Sequence, residues 1–178
     1  MKKNQRIVFI STYCALAIVL DYIKSFLPFL NMPSGGSINI ALIPVVLSSF
    51  HLGTLDGMLV GFVWWLISSV IGLNPYYINI FQYVIDYIFP SVVVGASSLF
   101  FKKKNNFEIE LGIFATMIVR TFLLTLSGAI FWPGDLASNS LLAWSASFVY
   151  NVPYSIATMI MLLIVIPLII NSLKKFVL

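Results

Sequence analysis

The stretch 91-SVVVGASSLFFKKKNNFEIELGIFATMIVR-120 sets three consecutive lysines, Lys102, Lys103 and Lys104, between two apolar runs. Loops rich in Lys and Arg stay on the cytoplasmic side of a bilayer, so this loop is predicted to face the cytosol. Working outward, the same signal recurs at Lys2, Lys3 and Arg6 and at Lys174 and Lys175, and these three clusters hold eight of the ten cationic residues. Each apolar stretch between clusters is long enough for an even number of crossings, which puts both termini in the cytosol as well.

Composition points the same way. Of 178 residues, 60% are hydrophobic and 9% are charged, and mean hydropathy is +1.01; a soluble chain this apolar would precipitate. A membrane helix needs about 20 apolar residues, so the length holds six of them and little else. The expected fold is an all-α integral membrane protein with six transmembrane helices and cytoplasmic N and C termini, organised as a single six-helix membrane domain over 1–178. The apolar runs predict helices near 7–28, 38–51, 54–72, 77–101, 108–132 and 140–171. The first run exceeds a signal-peptide core and is followed by Pro28-Phe29-Leu30 rather than a small-residue cleavage site, so it is expected to remain as a helix. His51-Leu52-Gly53 reads as a tight cytoplasmic turn in which Gly53 takes positive φ. The exterior loops 29–37, 72–77 and 133–140 carry no Lys or Arg and are rich in Gly, Pro, Asn and Ser. Cys14 is the single cysteine, which excludes a disulfide framework and a cysteine metal site. The net charge of +4 is accounted for by topology and is no argument for nucleic acid.

Four ionisable residues fall inside predicted helices away from their cytoplasmic ends: Asp21, Lys24, Asp86 and Arg120. Each costs about 2.5–3.5 kcal/mol at mid-bilayer and needs a partner, a cavity or a route to the interface. Asp21 and Lys24, three apart on one helix, are read as a pair, with Lys24 reaching outward. For Asp86 and Arg120 two readings stand side by side. One is a structural ion pair. The other is a small-molecule pocket at this depth, because Tyr76, Gln82, Tyr83 and Tyr87 crowd the same segment as Asp86 and Asn151 comes to similar depth on the last helix. Trp132 and Trp144, at exterior helix ends, suit either a membrane-interface belt or a pocket mouth, whereas Trp64 and Trp65 fall mid-helix and are expected to pack.

Catalysis has little to stand on. The chain has one histidine, no phosphate-binding glycine loop, no metal-ligand motif and no pair of close carboxylates suited to hydrolysis, so no enzyme activity, metal or cofactor is expected. There is also no ATPase segment, and active transport would draw on a partner or an ion gradient. Three classes of function remain: a ligand-capturing transport component, a proton-coupled secondary transporter using Asp86, and a non-transporting membrane scaffold.

Ser11-x-x-x-Ala15 on the first helix is a small-residue spacing that permits close helix approach. Together with six helices in under 200 residues, the loop Met32-Pro33-Ser34-Gly35-Gly36-Ser37 and the pair Asp86-Tyr87, it resembles the substrate-binding S components of energy-coupling factor (ECF) vitamin transporters, closest to the thiamine-specific branch and across essentially the whole chain. The resemblance implies a bacterial cell-membrane protein that captures thiamine or a related vitamin from outside for ATP-driven uptake. Its implied partners are the ECF transmembrane coupling subunit and two ATPase subunits. It also implies roles by position. Tyr76, Asp86, Tyr87, Trp132 and Asn151 would bind the ligand, Gly35 and Gly36 would cover it, and Ser11 and Ala15 would dock the coupling subunit. Two positions depart from the thiamine pattern: Leu124 stands where the family has histidine and Ala146 where it has tyrosine. These departures keep a hydroxymethylpyrimidine or pyridoxine-like cargo open beside thiamine.

Overall fold

A computed structural model describes residues 3–32, 36–73, 76–100 and 105–177; Lys2, the Lys102–Lys104 cluster and Gly35 lie outside them. Helices dominate the described residues: α1 (Lys3–Lys24), α2 (Leu42–Leu52), α3 (Thr54–Val70), α4 (Ile80–Val94), α5 (Asn106–Phe131) and α6 (Leu141–Val177). The one extended pairing among them is an isolated bridge between Asn31 and Ser37. By length and apolar composition α1, α5 and α6 are long enough to cross a membrane, while α2, α3 and α4 are shorter.

Two elements start or stop inside the predicted apolar runs, for local reasons. Before α2, Ile38 N–H donates to Leu30 O at 2.9 Å and the Asn39 side chain accepts from Ala41 N–H at 3.1 Å. Those bonds hold residues 38–41 as a turn and delay the helix to Leu42. After Val94 the chain tightens into a short 3₁₀ turn, Ser97–Phe100, with Ser97 Oγ donating to the Val94 carbonyl at 2.7 Å. Side-chain caps begin α4 and α5. Asn79 accepts from Gln82 N–H at 2.9 Å and Asn105 from Glu108 N–H at 2.8 Å, each satisfying a donor that the first helical turn leaves open. Gly53 between α2 and α3 has φ +108°, as the reversal there requires.

Helix packing depends on missing side chains. A Cβ on Gly57 would run into the carbonyl oxygen of Gly95, one on Gly61 into that of Ser91, and one on Gly112 into that of Ser97. The Gly57-x-x-x-Gly61 spacing on α3 therefore meets Ser91-x-x-x-Gly95 at the end of α4 at backbone contact, the close approach that small residues allow in membranes. An apolar core fills one part of the bundle, with Cys14 and Ala17 of α1, Val45 and Val46 of α2, and Ile113 and Leu162 of α5 and α6 among its members. Outward-facing Val70, Phe81, Phe89 and Leu141 are exposed, as suits a surface solvated by acyl chains. Arg6 of α1 grips the buried Asp56 carboxylate at the start of α3 through two bonds, Nε–Oδ2 at 2.7 Å and Nη2–Oδ1 at 2.6 Å, a fork geometry that adds direction to charge.

Gly57→Val places a branched side chain against backbone that has no rotamer to move away. It is expected to lower stability by about 2 kcal/mol or more, read as a fall in the unfolding temperature of the detergent-purified protein. Leu59→Val, on the exposed side of the same helix, is the control and is expected to stay within about 0.5 kcal/mol of wild type.

Candidate functional site

Along α5 and α6 the bundle changes from solid to hollow. Ile109, Ile113 and Met117 of α5 and Leu162 and Ile166 of α6 belong to the core. Farther along, Arg120, Leu124 and Gly128 of α5, Trp132 at its end, and Ala146, Asn151 and Tyr154 of α6 line a cavity of about 700 Å³. Its other walls come from Asp21 and Lys24 of α1, Trp64 and Trp65 of α3, Tyr76, Asp86 and Tyr87, and the segment from Gly36 to Asn39. The volume is in the range of small-molecule sites, about 300–1,000 Å³.

Asp86 sits in the cavity wall on an irregular turn. Residues Val84–Ile88 form a π-helical turn in which Phe89 N–H reaches back five residues to the Val84 carbonyl. Pro90 follows, and its missing N–H leaves the Asp86 carbonyl without the ordinary helical donor. Widened turns of this kind recur where a helix presents side chains to a ligand. The carboxylate is held by Gln82, whose Nε2 donates to Asp86 Oδ2 at 2.9 Å while its Oε1 accepts from Ile78 N–H at 3.2 Å. Gln82 is fully buried, so the start of α4 and the acidic group are joined through one amide. Trp132, Arg120 and Ser127 of α5 are the polar groups within electrostatic reach across the cavity.

The Asp86 to Arg120 ion pair raised by the sequence is not formed. Ion pairs among the described residues join Arg6 to Asp56 and Lys24 to Asp21. Asp86 turns instead to Gln82 on its own helix, while Nε and Nη1 of Arg120 are buried without a protein acceptor. A guanidinium in that position is poised for an acceptor that enters the cavity.

Asp21 and Lys24 do pair, at 2.8 Å, and the carboxylate has further partners. Trp64 Nε1 donates to Asp21 Oδ2 at 3.2 Å and Ser68 Oγ at 3.1 Å, tying α1 to α3. Trp64 thus has a polar bond as well as packing, and both Trp64 and Trp65 line the cavity. Tyr76 and Trp132 meet edge to face, ring centroids 6.3 Å apart at 89°, and both are partly exposed. Trp144 lies elsewhere. It donates to Asn139 Oδ1 at 2.8 Å, stacks at a tilt on Phe122, and lines an outer groove between α5 and α6.

Asn151 lines the cavity, but its amide is largely engaged within the protein. Nδ2 donates to the Ser147 carbonyl at 2.9 Å, with Ser147 Oγ at 3.1 Å and the Leu124 carbonyl at 3.4 Å, and Oδ1 accepts from the Tyr154 hydroxyl. Since two carbonyls face Nδ2, the orientation of the amide is determined, and one Oδ1 lone pair is what it offers inward. Gly36 lines the cavity at φ +74°, and Gly35 lies outside the described residues. Ser11 and Ala15 are exposed on α1 and contribute nothing to the cavity. Leu124 and Ala146, the two departures from the thiamine pattern, both line it. Reading the sequence missed Gln82 as the holder of Asp86, Tyr154 as the partner of Asn151, and the turn at Pro90. The available signals were Asn79-x-x-Gln82, the three-residue step from Asn151, and a proline four residues after an acidic one.

Residues 7–178 match the sequence profile of the family described as Thiamine transporter protein (Thia_YuaJ). The chain belongs to this thiamine transporter family. It is a family of transporters rather than enzymes, and the apolar helices make this member a membrane protein. The chain is 30% identical to the thiamine transporter ThiT of Bacillus subtilis over 176 residues, 93% of this chain and 90% of that one. It is 25% identical to the riboflavin transporter RibU of Staphylococcus aureus over 98% of this chain and 95% of that one. The solved ThiT of Listeria monocytogenes superposes with TM-score 0.82 at 22% identity, covering 98% of each chain. The S component of a bacterial ECF transporter superposes with TM-score 0.64 at 24% identity, again over 98% of each. The family member described here therefore has the S-component fold.

Asp21→Asn removes the charge that Lys24 needs and presents an amide where a carboxylate took three donors. Stability is expected to fall by about 1.5–3 kcal/mol, measured by thermal unfolding in detergent. Adding Lys24→Met in that background is expected to restore part of the loss, because the unpaired ammonium is then gone.

Proposed function

We propose that this protein is the membrane S component of a bacterial ECF importer, a single six-crossing domain with both termini in the cytosol that captures thiamine from the exterior and passes it inward with a transmembrane coupling subunit and two ATPase subunits. The observation that carries this reading is the cavity beside the apolar core, in which a carboxylate held by a buried amide shares a wall with aromatic rings. A thiazolium ring is cationic and flat. Asp86 balances its charge or takes the amino group of the pyrimidine, and Trp132, backed by Tyr76, offers an indole face for stacking. Tyr87 and Asn151 orient the polar edges. Arg120, with Nε and Nη1 unpartnered, supplies donors to a ring nitrogen or hydroxyl oxygen of the cargo. Gly36, with Gly35 next to it in sequence, covers the cargo. Family membership and the 30% identity to the Bacillus subtilis thiamine transporter support the same assignment.

Leu124 and Ala146 favour a second cargo. Both line the cavity, and both are apolar where the thiamine pattern has a ring with a polar atom. A smaller ligand of the hydroxymethylpyrimidine or pyridoxine type needs fewer stacking partners and fits a pocket trimmed at these positions. Proton-coupled carriage and a scaffold role have no comparable support, since a scaffold has no use for a cavity with an unpartnered guanidinium in it.

Titration of ligand-free protein with a panel of B vitamins, followed by Trp132 fluorescence, tests the assignment. Thiamine is expected to bind most tightly, and Asp86→Asn is expected to weaken it at least tenfold, about 1.4 kcal/mol, while the protein still purifies normally. Unchanged affinity in that variant would remove Asp86 from the site.

Ser11 and Ala15 are exposed on α1, away from the cavity. Replacing either with Trp is expected to leave thiamine affinity within about twofold of wild type and to abolish uptake in cells, because a bulky ring blocks helix approach at the docking face. Surviving uptake in both variants would place the coupling subunit elsewhere.

A further inference from the structure

Tyr154 has no part in the family pattern read from the sequence, yet three separate contacts converge on it. Its hydroxyl donates to Asn151 Oδ1, while the Nδ2 of that amide is engaged by the Ser147 and Leu124 carbonyls, which leaves one Oδ1 lone pair uncommitted on a residue that lines the cavity. Its ring lies against Gly36, where a Cβ would collide with the ring atoms, and Gly36 has φ +74°. Its carbonyl accepts from Thr158 Oγ1 at 2.7 Å, and the same Thr158 oxygen accepts from Asn39 N–H at 3.1 Å. The exterior segment is therefore fastened to α6 at both Gly36 and Asn39, and both attachments are built on Tyr154 or one turn beyond it. Tyr154 is buried and lines the cavity.

We propose that Tyr154 is the positioning residue of the site: its hydroxyl fixes the amide of Asn151 toward the cargo, and its ring seats the Gly36–Asn39 segment against the same helix. One side chain then sets both how the ligand is recognised and how firmly the exterior segment lies beside it. This rests on the reading of the cavity as the vitamin site. Residues that only support the fold change stability; a positioning residue changes the ligand's dissociation rate and is coupled to the group that it orients.

The test is a double-mutant cycle on the full-length protein in detergent, with thiamine as the probe and with affinity, dissociation rate and unfolding temperature all measured. Tyr154→Phe keeps the ring against Gly36 and removes the hydroxyl; it is expected to weaken thiamine binding about tenfold with little change in unfolding temperature. In an Asn151→Ala background the same change is expected to have no further effect on affinity, since no amide remains to be oriented. Tyr154→Leu removes the seat as well and is expected to raise the dissociation rate beyond that of Tyr154→Phe. Wild-type affinity in Tyr154→Phe, or losses that simply add in the double variant, overturns the proposal while leaving thiamine capture standing. A wild-type protein that binds no member of the vitamin panel overturns the cavity reading itself, and the proposal with it.

Discussion

A charge inside a lipid-solvated bundle must find its partner on another part of the protein, because hydrocarbon supplies none. That constraint organises this molecule. Asp21 takes donors from Lys24, Trp64 and Ser68 and so joins α1 to α3. Asp56 is gripped by Arg6 and fixes the other end of the same two helices. Asp86 is held along its own helix by Gln82, with Trp132, Arg120 and Ser127 within electrostatic reach. Arg120 alone of this set keeps buried donors without a protein acceptor. The pattern of pairing thus divides the charged groups into those that hold helices together and those that remain for a cargo.

Holding the cavity open requires the rest of the bundle to be tight. The α3 backbone touches α4 and its C-cap through Gly57, Gly61, Ser91 and Gly95, and the apolar core adjoins the cavity, with Trp64 belonging to both. Because α3 and α4 meet at backbone distance, the widened turn at Val84–Ile88 is free to present Asp86 and Tyr87 inward. On the opposite wall, Ser147 Oγ donates to the Thr125 carbonyl at 2.7 Å, and Asn151 reaches the Leu124 carbonyl. These bonds pin α5 to α6 where side chains are small: Gly128 has no room for a Cβ beside Ser147. The cavity is bounded by rigid elements on both sides, and the segment from Gly36 to Asn39 is attached to one of them.

Much of the candidate site was legible because its residues violate the chemistry of their surroundings. An acidic group, a guanidinium and an amide at membrane depth stand out in any apolar run, and Asp86, Arg120 and Asn151 all do line one cavity. Trp132 was legible as a helix-end aromatic, and it too faces the cavity, whereas Trp144 is also a helix-end aromatic and faces the outer groove. Trp132 abuts the Pro133-Gly134 turn and Trp144 lies in the first turn of α6, but neither setting alone fixes where the indole points. Which way each points depends on the rotation of α5 and α6 about their axes, and that is set by the contacts between them.

What the sequence alone determined was the class: apolar runs of helical length, cationic clusters between them and loop chemistry at the breaks define an all-helical membrane protein, since each of these is a property of neighbouring residues. The partners of its polar groups were decided only by tertiary structure. An Asp86 to Arg120 pair was one of two readings that their depth allowed, but the widened turn before Pro90 and the capped start of α4 give the carboxylate a nearer donor in Gln82. Asn151 looked free to meet a ligand until Ser147, Leu124 and Tyr154 were found around its amide. A hydrogen bond depends on distance and direction at the scale of tenths of an ångström, and that precision comes from how helices pack, not from where residues fall along the chain.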